Sequence, residues 1–280
     1  LKGLYIMSTP NLRDLMKLPK AEIVVELPSA GKEMYPETSS LYGVSKLTLR
    51  RYGAAEEDIL ANPDLLRDGS FIDHLLRSVI QEPINVKELL PKDKEKLLIV
   101  SRAESIDSEY KTPVTCGKCG SENKNFVFDL NDFPEREVDT ENAEKVGVNL
   151  FRTVFPNCGA EVDFKILDGN DVEKLSKAKE KAEGRGYEFS ETSEELKAKI
   201  QRMVFVTDTE RYVMENDLQI KEFVGLLLSS DIKFFKKVYD SVQPGLDLKR
   251  CHTCARCGHK EDVAVPLREN FFWPEFATNS

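Results

Sequence analysis

Apolar and polar positions along the chain set out a series of elements that then recurs. Ile23-Val24-Val25-Glu26-Leu27 is rich in β-branched residues and predicts a strand. Pro28-Ser29-Ala30-Gly31 predicts a turn, and Lys46-Leu47-Thr48-Leu49-Arg50 alternates as a second strand. Gly53 to Leu60 predicts a helix, with Glu56, Glu57 and Asp58 crowding its positive end. Phe71, Ile72, Leu75, Leu76, Val79 and Ile80 fall at helical spacing and make one apolar face. Pro91 predicts the first residue of another helix, running through Leu97, Leu98 and Val100. Phe126-Val127-Phe128-Asp129-Leu130 then reads as a strand.

The same order returns after a polar, acidic stretch that contains Pro134. Asn149 to Phe155 predicts a strand, Pro156-Asn157-Cys158-Gly159 a turn, and Val162 to Leu167 a second strand. Gly169 to Leu175 opens a charged helix, as Gly53 to Leu60 does in the first half. Further helices are expected around Leu196 to Phe205, Ile220 to Leu228 and Ile232 to Val242, the last ended by Pro244-Gly245. Val263-Ala264-Val265-Pro266-Leu267 reads as a closing strand. Long-period self-similarity of this kind points to an internal duplication.

The expected fold is therefore α+β with two similar repeats, each a β-hairpin, a helical part and a C-x-x-C-G knuckle with a strand. The divisions are 1–21 as an N-terminal arm, 22–130 as the first repeat, 131–145 as an acidic linker, 146–270 as the second repeat and 271–280 as an aromatic tail. Leu1 to Ile6 read as an extension ahead of Met7, and Asn11 to Leu18 as a turn or two of helix in the arm.

The knuckles carry the candidate chemistry. Thr115-Cys116-Gly117-Lys118-Cys119-Gly120 and Thr253-Cys254-Ala255-Arg256-Cys257-Gly258 share T-C-x-x-C-G and a basic residue before the second cysteine. A turn of this type aims two thiolates at one point, and a closed structural zinc site needs four ligands. Two knuckles supply four, so Cys116, Cys119, Cys254 and Cys257 are expected to share one structural zinc ion across the halves. A redox dithiol and plain buried thiols are the alternatives. Gly120 and the strand after it speak against the former, which needs a βαβ setting. Cys251 reads as a spare, because Pro113 holds the equivalent place in the first copy. Cys158 sits in a turn with the outline of a knuckle and is a candidate third ligand, and His259 a candidate substitute.

Composition narrows the function. Hydrophobic residues make up 40% and charged residues 32%, ordinary for a globular chain, and no apolar run is long enough for a membrane span. Six cysteines without a secretory leader suggest a reducing compartment and metal rather than disulfides. The net charge of −9 speaks against nucleic acid as the main partner and leaves proteins as the default. The chain contains no P-loop, dinucleotide fingerprint, nucleophile elbow or H-E-x-x-H motif, and only three histidines. A closed four-cysteine zinc has no open position for substrate, so neither catalysis nor a small-molecule substrate is expected. The tail Phe271-Phe272-Trp273-Pro274-Glu275-Phe276 either folds back on the body or offers Phe271, Phe272, Trp273 and Phe276 as anchors for a partner.

Three stretches also resemble a known family. They are Val25-Glu26-Leu27-Pro28-Ser29 with Gly31, Leu49 to Leu60 with its E-E-D-I-L helix start, and Val114 to Gly120. With Pro244 to Leu248, the second knuckle and Phe272-Trp273-Pro274, they resemble the baseplate hub and hub-assembly proteins of contractile-tailed phages of the T-even type. The likeness runs from about Ile23 to Phe276. The family usually has proline after the first knuckle cysteine, where this chain has Gly117 and Ala255. The resemblance implies a non-enzymatic structural or assembly role in the virion tail baseplate, assembly in the host cytoplasm, and other tail proteins as partners. A zinc-ribbon nucleic-acid module and a thiol oxidoreductase are the alternatives from other classes.

Overall fold

A computed structural model describes residues 22–30, 32–207, 209–267 and 271–272. The expectations for residues 1–21, Trp273 and Phe276 lie outside the described residues. Within them the chain is a mixed α+β protein of eight helices and several small sheets.

Strands β1 (Glu22–Glu26) and β2 (Lys46–Arg50) form an antiparallel hairpin that pairs Ile23 with Leu49 and Val25 with Leu47. Leu47 and Leu49 alternate inward as their spacing requires. Helices α1 (Ala54–Leu60), α2 (Pro63–Asp68), α3 (Phe71–Val79) and α4 (Pro91–Ser105) follow. Asn62 caps α2 by accepting from the N–H groups of Asp64 and Leu65, and Gly69 ends it at φ 74°. On α3, Phe71, Leu75, Leu76 and Val79 turn inward, which accounts for the helical spacing of that stretch. A short bridge from Ile80 back to Leu49 adds a third line to the first sheet.

Two strands, β3 (Glu109–Thr115) and β4 (Glu122–Asp129), make the first knuckle hairpin. The chain then passes through β5 (Glu135–Arg136) into a five-stranded sheet. That sheet holds β6 (Glu144–Gly147), β7 (Leu150–Val154), β8 (Glu161–Phe164), β9 (Ile200–Val206) and β10 (Arg211–Met214), all antiparallel. Helices α5 (Gly169–Glu183) and α6 (Glu191–Lys199) lie between β8 and β9, and α7 (Asp217–Leu226) and α8 (Ser229–Ser241) follow β10. A short β11 (Gly245–Leu246) pairs with β5, and β12 (Lys249–Thr253) with β13 (Lys260–Ala264) makes the second knuckle hairpin. Phe155, Phe164, Phe223 and Phe235 fill the second half's core, with ring centroids 5.1 to 5.7 Å apart.

Several expectations shift. The stretch Leu196 to Phe205 is not one helix. It leaves the helix at Ile200, whose ψ of 124° is extended, and becomes β9 between β8 and β10. Apolar spacing cannot separate a short buried strand from a helix, and here pairing with two neighbours decides. The closing strand is Lys260–Ala264, ahead of the expected stretch, because Thr253 pairs with Lys260 across the knuckle. Within 131–145, Glu135 and Arg136 pair with Leu246 and Gly245, and Arg136 donates to the Gln243 carbonyl at 2.8 Å.

The first two rings of the tail fold back on the body. Phe271 and Phe272 are buried against the first half, Phe271 at 5.1 Å from the Tyr110 ring and Phe272 at 5.8 Å from Phe71. Arg102, itself buried, donates from Nε to the Phe271 carbonyl at 2.6 Å and lies 5.1 and 5.0 Å from the Tyr110 and Phe271 ring centres. These two rings pack inside the chain, which leaves little of their apolar surface open.

Two carboxylates join hairpin turns to helix starts. Asp93, in the first turn of α4, accepts from the Ser29 N–H at 3.0 Å, the Ser29 hydroxyl at 2.5 Å and the Tyr35 hydroxyl at 2.5 Å. Asp231, in the first turn of α8, accepts from the Asn157 N–H at 3.2 Å and its Nδ2 at 2.9 Å. Two ion pairs recur at equal spacing, Arg50 with Glu56 and Lys165 with Asp171, each at 2.6 Å. The Asp93 donors have no water to fall back on, whereas Asn157 is exposed. Asp93→Ala is therefore expected to cost about 3 kcal/mol and Asp231→Ala about 1 kcal/mol, as read from chemical denaturation.

Glu56 supplies a pH test. Burial opposes its charge, but hydrogen bonds from Ser78, the Gly53 N–H and Arg50 outweigh that and hold the carboxyl below its usual range. A lowered folded-state pKa contributes stability above the unfolded value of about 4.3 and loses it as pH falls through the folded one. The stability gap between wild type and Glu56→Gln is expected to be full at neutral pH and to close below about pH 4, as followed by melting temperature.

Candidate metal centre

Each knuckle is a tight loop closing a two-stranded hairpin. In the first, the Gly120 N–H donates to the Cys116 carbonyl at 2.9 Å and the Cys116 N–H to the Ser121 carbonyl at 2.9 Å. In the second, the Gly258 N–H donates to the Cys254 carbonyl at 2.9 Å and the Cys254 N–H to the His259 carbonyl at 2.8 Å. Gly120 and Gly258 take φ of 68° and 67°, a region glycine enters without strain. The motif's final glycine is thus what lets the chain turn back under the sulfurs.

The two hairpin ends meet. The sulfurs of Cys116, Cys119, Cys254 and Cys257 all lie within 4.8 Å of one another. Cys116 Sγ is 3.8 Å from Cys257 Sγ, and Cys119 Sγ is 3.7 Å from Cys254 Sγ. A tetrahedral ion with metal–sulfur bonds of about 2.3 Å sets its sulfurs about 3.8 Å apart. The donor set and its spacing fit a closed four-thiolate site, with one pair from each half. Among the described residues no further His, Cys, Asp or Glu joins the cluster.

Proton affinities inside the cluster diverge. The N–H groups of Cys257 and Arg256 point at the Cys254 sulfur and pull it down to about 6. For Cys257 the His259 N–H works downward, but desolvation and the sulfurs of Cys119, Cys254 and Cys116 push the thiol up to about 11. Cys116 is raised too, the Cys119 N–H being outweighed by desolvation and neighbouring sulfurs. Without a cation the first thiolate makes the next harder to form, since like charges this close repel.

Other residues brace the meeting point from both sides. Glu261 of the second hairpin accepts from the Gly117 N–H of the first at 3.0 and 3.3 Å. Proline at this position would have no N–H to donate, so the departure at Gly117 makes the contact possible. Buried His252 meets Phe126 edge-on at 5.3 Å, and Arg250 lies 4.3 Å over the Phe133 ring. Neither Glu261 nor His252 stands out in the sequence. Their place on the strand after and before a knuckle is the only signal.

The remaining candidates stay outside. Cys158 and Cys251 are exposed and do not join the cluster, nor does His259. The turn at Cys158 does repeat the knuckle pattern, the Gly159 N–H donating to the Phe155 carbonyl at 2.9 Å and Gly159 taking φ 67°. Phe155 in the place of a first cysteine gives it a core ring instead of a ligand.

A family model described as T4 bacteriophage base plate protein matches residues 20–273. No curated protein and no solved structure gives a significant match to the chain.

Outer contacts of this kind typically change metal affinity by about 10–100-fold. Gly117→Pro removes the donor to Glu261 and is expected to speed metal loss to a competing chelator about tenfold, with the four cysteines unchanged. Metal release timed with a chromogenic chelator checks it.

Proposed function

We propose, from the premise that the chain belongs to the T4-type phage baseplate protein family, that it is a non-enzymatic component of the baseplate hub region of a contractile tail. It acts there, or during assembly in the host cytoplasm, through contacts with other tail proteins. One structural zinc ion on Cys116, Cys119, Cys254 and Cys257 ties its two halves together. The observation that carries this reading is the cluster itself, since residues 135 and 141 positions apart deliver sulfurs at zinc spacing. A metal held by four protein thiolates leaves no place for substrate, which fits a part that holds shape.

The reading includes two repeats, 22–130 and 146–270, joined through 131–145. Its support is the recurrence of the latches at Asp93 and Asp231, the ion pairs at Glu56 and Asp171, and the knuckles at equivalent ends. In both halves a helix also runs into an extended residue that pairs with the second hairpin strand, at Ile80 and at Ile200.

The test uses the cleavage sites inside the knuckles. Lys118 and Arg256 each precede a second cysteine, and both are exposed trypsin sites. Purified protein is expected to hold one zinc per chain by metal analysis and to resist cutting at both. Chelation, or Cys254→Ser, is expected to open both sites while the far-ultraviolet dichroism of the helices changes little, because each half keeps its own core. Zinc-free protein as purified, or a tryptic map unmoved by chelator, would overturn the clamp.

A further inference from the structure

The five-stranded sheet has two edges, and the described residues close off one of them. At that edge β6 is bulged between Lys145 and Gly147, and a loop of the first half lies along it. The Asn149 N–H donates to the Glu33 carbonyl at 3.2 Å and Lys145 Nζ to the Lys32 carbonyl at 2.5 Å. The other edge is β10, which has no bulge, proline or lysine to blunt it. The Thr207 N–H donates to the Glu210 carbonyl at 2.9 Å, so by alternation Tyr212 and Met214 direct their backbone groups to β9. Arg211 and Val213 direct theirs outward, and among the described residues those groups have no hydrogen-bond partner.

A further strand can join this edge only in a register that sets its own outward groups against those of Arg211 and Val213. Two copies of β10 about a two-fold axis meet that condition when the axis passes through Val213. Arg211 then stands across from the partner's Glu215, Tyr212 across from Met214 and Val213 across from its own copy, with the Arg–Glu pair made twice. An axis through Tyr212 leaves Arg211 opposite Val213, and one through Met214 sets Glu215 opposite Val213. An axis between Tyr212 and Val213 sets outward groups against inward ones and Glu210 against Glu215. Opposite charges directly across a strand pair stabilise it and like charges oppose it, so the Val213 register is selected.

The side chains suit this pairing. Glu215 is exposed and makes no ion pair among the described residues, while Arg211 touches Glu161 through one nitrogen only, at 3.2 Å. Tyr212 and Val213 are 46% and 48% exposed, open surface that pairing would cover. With a net charge of −9, two copies repel in general, so a contact between them needs a local match of charge such as this one. We infer that β10 is a self-pairing edge, where a second copy of this chain joins antiparallel about Val213 and extends the sheet across the two-fold axis. The ladder is short, so the association is reversible. It depends neither on the metal nor on the two-repeat reading.

The experiment weighs the full chain as purified by light scattering behind size exclusion, at about 100 μM and on dilution. Wild type is expected to be a dimer at the higher concentration. Arg211→Glu and Glu215→Arg each set like charges across the axis and are expected to weaken the dimer about tenfold or more. Mixed in equal amounts, the two variants regain both opposite-charge pairs and are expected to dimerise as wild type does. Val213→Pro removes an outward N–H without touching the ladder to β9 and is expected to be monomeric. Melting temperature and zinc content, read on the same samples, are expected to stay near those of wild type for Glu215→Arg. A monomeric wild type, including one that binds a different tail protein through β10, would overturn the pairing. So would a dimer indifferent to either charge change or to Val213→Pro, or a mixture that stays monomeric.

Discussion

Four sulfur atoms within 4.8 Å of one another are the constraint on which the rest of this structure turns. Thiolates packed so closely repel, and thiols there would leave the Cys254 and Cys257 proton affinities far apart, at about 6 and about 11. A divalent cation would resolve the conflict by taking all four charges at once. The joint lies at the tips of two hairpins that, among the described residues, pair with no other strand. Two-stranded hairpins are marginal alone, so each gains from its contact with the other.

Contacts near the joint cross between the halves in both directions. After the first hairpin the chain sends Phe133 and Arg136 onto the second half, under Arg250 and against Gln243. After the second hairpin it sends Phe271 and Phe272 onto the first half, against Tyr110, Arg102 and Phe71. Glu261 reaches Gly117 across the seam between them. A metal here would reinforce an association that packing already makes, which separates this chain from small metal-dependent domains that have no core of their own.

The latches illustrate how similar local chemistry yields unequal surroundings. Both aspartates sit in the first turn of a helix and hold the backbone of a turn preceded by proline. Asp93 does so in the dry interior, where burial pushes its carboxyl up and three donors work against that. Asp231 is equally buried, yet its partner Asn157 faces solvent. The difference is imposed by neighbours distant in the chain, not by the latch.

Local patterns were enough for the elements whose residues commit to one period. Phe71 to Val79 could only bury one helical face, Leu47 and Leu49 alternate as a strand must, and the final glycine of each T-C-x-x-C-G turn allows the left-handed bend a knuckle needs. That Cys116, Cys119, Cys254 and Cys257 could meet was legible for the same reason, since two like turns each aim a pair of sulfurs. Other features depended on partners far along the chain. Ile200 to Val206 carries apolar residues that suit helix or strand, and pairing with β8 and β10 made it a strand. Whether Phe271 and Phe272 fold back on the body or stand free could not be read from their spacing, and contact with Arg102 and Tyr110 set them inside. Glu261 became a brace only because folding set it beside Gly117, residues 144 positions apart. Side-chain type and spacing settle what one element can do alone, while burial and pairing depend on which surfaces meet, and that is decided only when the halves come together.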